Sequence, residues 1–236
     1  MNAELKIPPS FNPGISHPLY FIRNGLYKGI EKYKDSLTGK LMDFGSGQKP
    51  YRSFFTNVSE YIGVDYDGEG HSHEGEAVDV FYDGKHLPFN DNTFDSVFSS
   101  EVFEHIFNLE EILPEINRVM KPGADILITC PFVWNLHEIP VDYARYTSYA
   151  LKHLFEKNGF EVKAMDKSGN FITTITQMRV LYFETHVWPK LKGMNKIPFL
   201  LNTIITIMNG IGVIKNKIFP SRSDWYQSNI VLAKKK

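Results

Sequence analysis

Residues 41–47 read Leu-Met-Asp-Phe-Gly-Ser-Gly, and this stretch decides the fold. Its apolar start is typical of a short buried strand, and Gly45 and Gly47 allow backbone angles and close approaches that a β-carbon forbids. A glycine turn after the first strand of an α/β domain is where a nucleotide-like cofactor usually binds. An ordinary glycine-rich turn is the alternative. We interpret the turn as a cofactor loop that comprises Asp43, Gly45, Ser46 and Gly47.

A second apolar segment, residues 61–64, ends in Asp65, which lies 22 residues after Asp43. An acid at the tip of the second strand, about 20 residues after the first glycine turn, can accept hydrogen bonds from both hydroxyls of a ribose. The third glycine of the dinucleotide-binding pattern is missing, which disfavours a Rossmann oxidoreductase. The sequence therefore predicts a cofactor that carries a ribose and need not carry a pyrophosphate.

Further motifs follow in order, at residues 83–89 (DGKHLPF), 94–97 (FDSV), 104–106 (EHI) and 118–123 (RVMKPG). Together with the glycine turn and Asp65 they resemble the class I S-adenosylmethionine-dependent methyltransferases. The resemblance covers roughly residues 40 to 160. It implies an α/β, Rossmann-like fold, with a seven-stranded, mostly parallel sheet, helices on both faces and a last antiparallel strand.

The resemblance also implies that S-adenosylmethionine is the cofactor. It implies that Asp43 contacts the ammonium group directly or through water, that Asp65 holds the ribose and that Tyr66 or Ile62 flanks the adenine. The remaining cofactor-binding positions that match the family are Asp83 and Gly84 near the adenine amino group, and Ser99 and Ser100 near the methionine part.

Length and composition narrow the classes of protein and partner. The 236 residues suit one α/β domain with an insertion. The net charge of −1 provides no overall basic field, so nucleic acid is not an expected partner. The single cysteine, Cys130, excludes an intrachain disulfide. The first residues lack the apolar run of a signal peptide, and we therefore expect a cytoplasmic protein.

Alternating apolar and helical patterns predict the domain organisation. Residues 1–37 are predicted to form a proline-rich arm and a cap helix, and residues 38–236 a methyltransferase domain with a helical insertion at about 170–228. Strands are predicted at about residues 41–44, 61–64, 78–81, 96–99, 126–129, 160–164 and 230–233. A helix is predicted over residues 109–120, with Pro122 and Gly123 as its stop signals.

The insertion contains an uncharged segment, residues 197–214, whose 18 residues are at the lower limit for a membrane span. Its polar side chains make a true span unfavourable. No acid occurs between Glu184 and Asp224, whereas lysines flank the apolar segment. This pattern is compatible with peripheral contact of residues 190–222 with an anionic membrane, at its inner face. A lid over the substrate pocket or a homodimer face, with lysines that are only solvated, is the interpretation that we favour.

The fourth strand is followed by a candidate catalytic group. The spacing of Glu101, Glu104 and His105 predicts that these side chains share one helical face. A histidine near the cofactor can act as a general base, because its pKa is close to neutral. Metal binding is the alternative for His105, but two acids and one histidine are a small ligand set, and no metal is predicted.

The fifth strand is followed by residues 137–147, which read His-Glu-Ile-Pro-Val-Asp-Tyr-Ala-Arg-Tyr-Thr. Ligands of an open α/β sheet bind beyond the carboxyl ends of its strands, so this loop is predicted to face the acceptor. His137 can take a hydroxyl proton, and Arg145 can bind a phosphate or carboxylate. The predicted substrate-binding residues are Asp142, Tyr143 and Tyr146. Alternatively, Asp142 and Arg145 pair only to staple the loop.

The loop also resembles a subgroup of methyltransferases linked with cell-surface saccharide pathways. We therefore expect an O-methylation of a small-molecule acceptor, either a saccharide or a lipid-linked metabolite. A quinone or isoprenoid methyltransferase is the nearest alternative. A non-catalytic cofactor-binding module that docks on a membrane or a partner is the alternative from another class.

Overall fold

The computed structural model of the chain describes residues 8–68, 77–193 and 197–236. Its strands are β1 (Gly39–Phe44), β2 (Val58–Tyr66), β3 (Val80–Tyr82), β4 (Phe94–Ser100), β5 (Met120–Pro131), β6 (Phe160–Ser168) and β7 (Ser228–Lys235). They form one seven-stranded sheet in the order β3-β2-β1-β4-β5-β7-β6. Each strand overlaps one that the sequence predicts, and the Rossmann-like fold class is confirmed.

The first five strands are parallel. β1 lies between β2 and β4, β3 pairs with β2, and β5 pairs with β4. Leu41, Met42 and Phe44 of β1 are almost completely buried, as expected for a parallel strand that is covered on both faces. The carboxyl ends of β1, β2, β4 and β5 therefore share one edge of the sheet, which is where such folds bind ligands.

β7 runs antiparallel to both of its neighbours. Its end lies beside the start of β6, since Lys236 N donates to Gly159 O at 3.0 Å, and its start lies beside the end of β6, since Gln227 N donates to Ser168 O at 2.8 Å. Asn229 at the start of β7 donates through Nδ2 to Cys130 O at 3.3 Å, near the end of β5. The antiparallel last strand that the sequence predicts is therefore present.

In the part of the chain that the structure describes, three α-helices precede the insertion: α1 (Tyr20–Tyr33), α2 (Leu109–Val119) and α3 (Ser148–Lys157). α2 buries Ile112, Leu113 and Ile116 in the hydrophobic core beside the sheet. α3 begins after Thr147, whose hydroxyl accepts from Ala150 N at 3.2 Å. This bond satisfies one of the N–H groups that a helix leaves unpaired at its start.

Pro122 and Gly123, the predicted stop signals of α2, have a different structural role. α2 ends at Val119 and β5 begins at Met120, so Pro122 and Gly123 belong to the first part of a strand rather than to a loop. The pairing of β4 with β5 shifts register there, because Phe94 faces Met120 whereas Ser96 faces Asp125. The extra residues of β5 form a bulge, where proline and a glycine with positive φ are tolerated.

The chain divides into two compact units. The described residues of the first unit lie in Gly29–Asp166 and Asn229–Lys236, and those of the second in Pro8–Lys28 and Lys167–Ser228. Residues 1–7 of the predicted arm lie outside the described residues. The domain boundary predicted between residues 37 and 38 stays a prediction.

The second unit contains α4 (Phe171–Tyr182) and α5 (Pro198–Ile218), so the insertion is helical as predicted. A capping box of Asn170 and Thr173 begins α4. Gly212 lets the two helices approach closely, because a β-carbon there would lie 2.4 Å from Thr176 Cγ2.

Within the described residues, Phe199–Ile218 is a helix that is long and apolar enough to cross a membrane. Length and composition alone are weak support for a span, since the core helices of soluble proteins pass the same test. Only 17% of this helix is buried. Its buried residues, Ile205, Asn209 and Gly212, lie on one side, so the opposite side is left exposed.

Candidate active site

The turn that follows β1 is closed onto β2 by two backbone hydrogen bonds. Val64 O accepts from Gly45 N at 2.8 Å and from Ser46 N at 3.3 Å. Gly45 and Gly47 have φ angles of 75° and 44°, in the left-handed region that favours glycine. A β-carbon on Gly45 would lie 2.2 Å from Val102 Cγ2. The turn therefore depends on glycine and lies directly against the segment that follows β4.

Asp43 is the last residue but one of β1, and its carboxyl group is shielded from water. Its side chain accepts from the Tyr61 hydroxyl at 2.5 Å. Burial raises the pKa of Asp43 to about 7, with the Tyr61 hydrogen bond acting in the opposite direction. A nearby cation favours the ionised form of such a carboxyl. The ammonium group of S-adenosylmethionine therefore fits the position that the sequence predicts for it.

Asp65 connects the end of β2 to the glycine turn. Its Oδ2 accepts from Gly47 N at 3.0 Å, and its Oδ1 accepts from Tyr66 N at 2.9 Å. A carboxylate has about four lone-pair sites, so both oxygens retain capacity for further donors. The role of Asp65 as a ribose anchor stays a prediction. Tyr66, at the same strand end, is partly exposed and could flank a flat ring.

Asp83 and Gly84 form a turn directly after β3. The Asp83 carboxylate accepts from Lys85 N at 2.8 Å and from His86 N at 2.7 Å, and these backbone bonds hold its pKa below the usual range. A β-carbon on Gly84 would lie 2.7 Å from the Tyr66 ring. Asp83 therefore has a structural role in the turn, and its predicted contact with the adenine stays a prediction.

Three serines surround the same edge of the sheet. The hydroxyls of Ser46 and Ser99 are buried, and neither has a hydrogen-bond partner among the described residues. Ser100 Oγ lies 2.9 Å from Thr129 Oγ1. Buried polar atoms are normally paired with protein, water or ligand, so Ser46 and Ser99 are consistent with a bound polar group at this edge.

An ion pair beneath the glycine turn was not predicted from the sequence. Lys49 Nζ lies 2.5 Å from Asp79 Oδ2, and the same oxygen accepts from Gly63 N at 2.7 Å. Lys49 has a positive φ of 53°, which is uncommon outside glycine. The pair ties the residues after the turn to β2. The two partners lie 30 positions apart in the chain, and no local pattern marks them.

The residues after β4 differ from the predicted helical face. Glu101 has a positive φ of 55°, and the helical turn covers only Phe103–His105. Glu101 therefore does not continue the face of Glu104 and His105. Instead, His137 from the loop after β5 joins them, with its ring centroid 4.7 Å from that of His105.

Glu104 is the buried centre of this group. Its side chain is 0% exposed, and the carboxylate lies 3.7 Å from His105 Nε2 and 3.9 Å from His137 Nε2. Burial and the charge of Glu101 raise the pKa of Glu104 well above its usual value. We call Glu104, His105 and His137 the Glu-His cluster.

The loop after β5 is stapled by Asp142 and Arg145. Arg145 Nη1 donates to Asp142 Oδ1 at 2.6 Å, and Nη2 donates to Oδ2 at 2.7 Å. Arg145 also donates to the carbonyls of Asn135 and Ala144. The Arg145 guanidinium holds the pKa of Asp142 at about 2. The stapling pair is therefore present, and it uses much of the donor capacity that the sequence assigns to a substrate anion.

The two tyrosines of the loop have different environments. Tyr143 is about half exposed, and its N–H donates to Glu104 O at 2.9 Å. Tyr146 packs against the hydrophobic core, and its carbonyl accepts from Asn229 Nδ2 at 2.9 Å. Of the predicted substrate residues, Tyr143 is the one whose side chain is most available to an acceptor.

Residues 42–128 match the family described as the methyltransferase domain. The match runs from β1 into β5 and includes the glycine turn, Asp65, Asp83 and two members of the Glu-His cluster. The loop that carries His137 and Arg145 lies outside it.

Two curated relatives support the same family. A norajmaline N-methyltransferase from Rauvolfia serpentina is 28% identical over 117 residues, which are 50% of this chain and 38% of the relative. A sterol 24-C-methyltransferase from Schizosaccharomyces pombe is 51% identical over 49 residues, which are 21% of this chain and 13% of the relative. The chain therefore covers well under two thirds of either relative.

Solved structures share the fold. The phosphoethanolamine N-methyltransferase 2 of Haemonchus contortus, in complex with S-adenosyl-L-methionine, has a TM-score of 0.52 at 19% identity and aligns with 90% of this chain and 52% of its own. The 4+2 cyclase SpnF has a TM-score of 0.55 at 15% identity and aligns with 92% and 82%. At these identities the likeness shows the fold alone. Taken with the family match, it shows that the chain contains a class I S-adenosylmethionine-dependent methyltransferase domain.

Proposed function

We propose that the chain transfers a methyl group from S-adenosylmethionine to an oxygen of a small-molecule acceptor, either a saccharide or a lipid-linked metabolite. The observation that carries this proposal is the Glu-His cluster. It follows β4 and β5 on the sheet edge that bears the glycine turn, and Val102 links the turn to the cluster segment.

The chemistry of the cluster favours an oxygen acceptor. A hydroxyl group is a poor nucleophile until its proton leaves, and groups such as imidazole and carboxylate assist that departure. The bound cofactor supplies the methyl group on a sulfonium. The residues of this chain then have to orient the acceptor in line and exclude water. Glu104, His105 and His137 bring polar side-chain atoms within 4.8 Å of one another. Such a group suits the orientation of an acceptor hydroxyl.

An isoprenoid or quinone acceptor is the second candidate. One of the matched relatives is named for sterol methylation, and sterols are isoprenoid lipids. A non-catalytic cofactor-binding module that docks on a membrane or a partner is the third candidate.

The proposal predicts measurable methyl transfer that depends on Glu104. With methyl-labelled S-adenosylmethionine, we expect label to enter a saccharide or lipid-linked saccharide in equal amount with the demethylated cofactor. Glu104→Gln should keep cofactor affinity and lower kcat by about 100-fold or more. Glu156→Gln, on the exposed surface of α3, is the matched control and should retain full activity. Label that enters only a quinol would favour the second candidate, and cofactor binding without any transfer would favour the third.

We also propose that the second unit contacts an anionic membrane surface through α5. Ile207, Ile211, Ile214 and Ile218 are each about half exposed or more. Their spacing of 4, 3 and 4 positions forms one stripe, because successive residues of a helix are turned by roughly 100°. Lys215 and Lys217 are exposed and flank this stripe on opposite sides, roughly 80° away from Ile207 by the same geometry.

An apolar stripe with lysines on both sides suits a helix that lies in the interface of an anionic bilayer. The apolar side chains enter the headgroup boundary while the lysine ammonium groups remain near the phosphates. This proposal places the protein at the inner face of the cytoplasmic membrane, where a lipid-linked acceptor would be found.

The membrane proposal predicts binding to vesicles that depends on charge. We expect the protein to sediment with vesicles that contain phosphatidylglycerol and to bind pure phosphatidylcholine much more weakly. Because each lysine near such a surface contributes about 1 kcal/mol, Lys215→Gln with Lys217→Gln should weaken binding roughly 30-fold. Lys152→Gln with Lys157→Gln, on α3, is the matched control. Absence of vesicle binding together with a stable dimer in solution would favour the homodimer face instead.

A further inference from the structure

The Glu-His cluster brings three ligand atoms together in a buried position. Glu104 Oε1, His105 Nε2 and His137 Nε2 all lie within 4.8 Å of one another. Neither carboxylate oxygen of Glu104 has a hydrogen-bond partner among the described residues. A fully buried carboxylate without a donor is costly, and a bound cation or donor at this position would remove that cost.

The other nitrogen of each imidazole already has a polar partner, and both Nε2 atoms face Glu104. His105 Nδ1 lies 2.8 Å from Val141 O, and a carbonyl can only accept, so Nδ1 carries the proton. His137 Nδ1 lies 3.2 Å from Asp142 Oδ2 and 3.5 Å from Arg145 Nη2. The guanidinium can only donate, so Nδ1 accepts in the contact with Arg145, whereas an ion bound at Nε2 would turn a proton on Nδ1 towards Asp142 Oδ2. Such contacts commonly orient the histidine ligands of metals.

We propose that Glu104, His105 and His137 bind one divalent transition-metal ion of the zinc type. Two imidazoles and one carboxylate form the ligand set of many catalytic zinc sites, which keep a fourth position open. Tetrahedral ligands at about 2.1 Å from the ion lie roughly 3.4 Å apart. The two separations from Glu104, 3.7 and 3.9 Å, need to contract by a few tenths of an ångström, and the two imidazole nitrogens, which lie within 4.8 Å of each other, also have to move closer. Magnesium and calcium prefer oxygen ligands and fit this set poorly.

The open position of the ion would be available to the acceptor. A coordinated hydroxyl loses its proton more readily, because the ion stabilises the anion. The O–H bond breaks and the proton passes to solvent water. The O–C bond to the methyl group then forms as the C–S bond breaks, and the electron pair of that bond stays on sulfur. This role rests on the proposed function, whereas binding of the ion does not.

Cobalt(II) is the probe for the site, because its visible absorption reports tetrahedral nitrogen and oxygen ligands. The full chain is stripped with a chelator and titrated with cobalt(II), and zinc(II) is then titrated in competition. We expect one equivalent to bind. His137→Ala and the isosteric Glu104→Gln should each weaken binding by about 100-fold or more, since loss of even an outer partner costs about 10-fold to 100-fold. His153→Ala removes an exposed histidine of α3 and should leave the titration unchanged.

The same samples are titrated with S-adenosylmethionine, so that the two proposals are separated. Wild type that binds the cofactor but no cobalt(II) overturns the metal proposal and leaves the proposed function standing. Equal affinity for cobalt(II) in wild type, His137→Ala and Glu104→Gln also overturns the metal proposal. Cobalt bound at the cluster without cofactor binding supports the metal site and removes the proposed function. Because circular dichroism and cofactor binding report folding, a weakened Glu104→Gln titration on folded protein supports the site directly.

Discussion

Asp65→Ala is expected to abolish measurable binding of S-adenosylmethionine. The Asp65 carboxylate would accept both ribose hydroxyls, and a hydrogen bond to a charged group contributes about 1.5–3 kcal/mol. Loss of two such bonds amounts to about 3 kcal/mol or more, which is a loss of affinity of at least about 100-fold. The substitution also removes the acceptor of Gly47 N, so the glycine turn loses one of its supports. Calorimetric titration of the cofactor and of its demethylated product measures this effect.

Two variants separate ribose binding from support of the turn. Asp65→Asn retains one carbonyl oxygen for the backbone but not the negative charge, and we expect an intermediate loss of affinity. Glu60→Ala lies on the same strand, β2, near its other end, where Glu60 forms a surface pair with Lys40. Such pairs contribute little, so this control should bind like wild type. Unchanged affinity of Asp65→Ala on folded protein would remove the predicted ribose anchor.

The fold was predictable because its signals are local. The strand around Met42 is apolar, the turn at Gly45 and Gly47 has the required residues, and Asp65 ends the next strand at the expected distance. Each signal lies within a few residues of the structure that it specifies. The bulge at Pro122 and Gly123 was missed, because the same residues can end a helix or interrupt a ladder, and only the partner strand decides between them.

The Glu-His cluster was only partly predictable. Glu104 and His105 were recognised as neighbours in sequence, but the site depends on His137, which is 32 positions further along and belongs to another loop. The helical spacing that would have grouped Glu101 with them does not apply, since its backbone is left-handed. The Lys49–Asp79 pair shows the same limit. Contacts between distant segments follow from the order of the strands in the sheet, and a single sequence does not display that order directly.

Arg145→Ala is expected to lower the free energy of unfolding by about 2 kcal/mol at pH 7. The Asp142 side chain is 1% exposed and is held by two bonds from the Arg145 guanidinium. Without Arg145 a buried carboxylate loses its charge partner, which is strongly destabilising. Because Arg145 itself is partly exposed, we place the loss below the range for fully buried pairs. Urea unfolding, followed by tryptophan fluorescence, measures it.

The pH dependence of the stability loss shows whether Arg145 acts through its charge pair with Asp142 or through packing alone. The pKa of Asp142 is about 2 in the folded protein, whereas an aspartate of the unfolded chain has a pKa of about 3.9. A lowered pKa contributes stability that is fully present above the unfolded value and is lost as the pH falls through the folded value. The difference in stability between wild type and Arg145→Ala should therefore shrink as the pH falls from about 5 to about 2.

Two further variants test the assignment of Arg145 to the loop rather than to the acceptor. Arg145→Lys keeps the charge but not the two-pronged geometry, and it should recover part of the lost stability. Lys157→Ala breaks an exposed pair with Glu110 and should change stability by less than about 0.5 kcal/mol. An Arg145→Ala protein that is as stable as wild type at every pH, yet fails to transfer methyl groups, would instead assign the guanidinium to the acceptor. The bidentate bonds to Asp142 argue for the role in loop stability. Both Nη atoms bind this internal carboxylate and two backbone carbonyls, so they have little capacity left for an external anion.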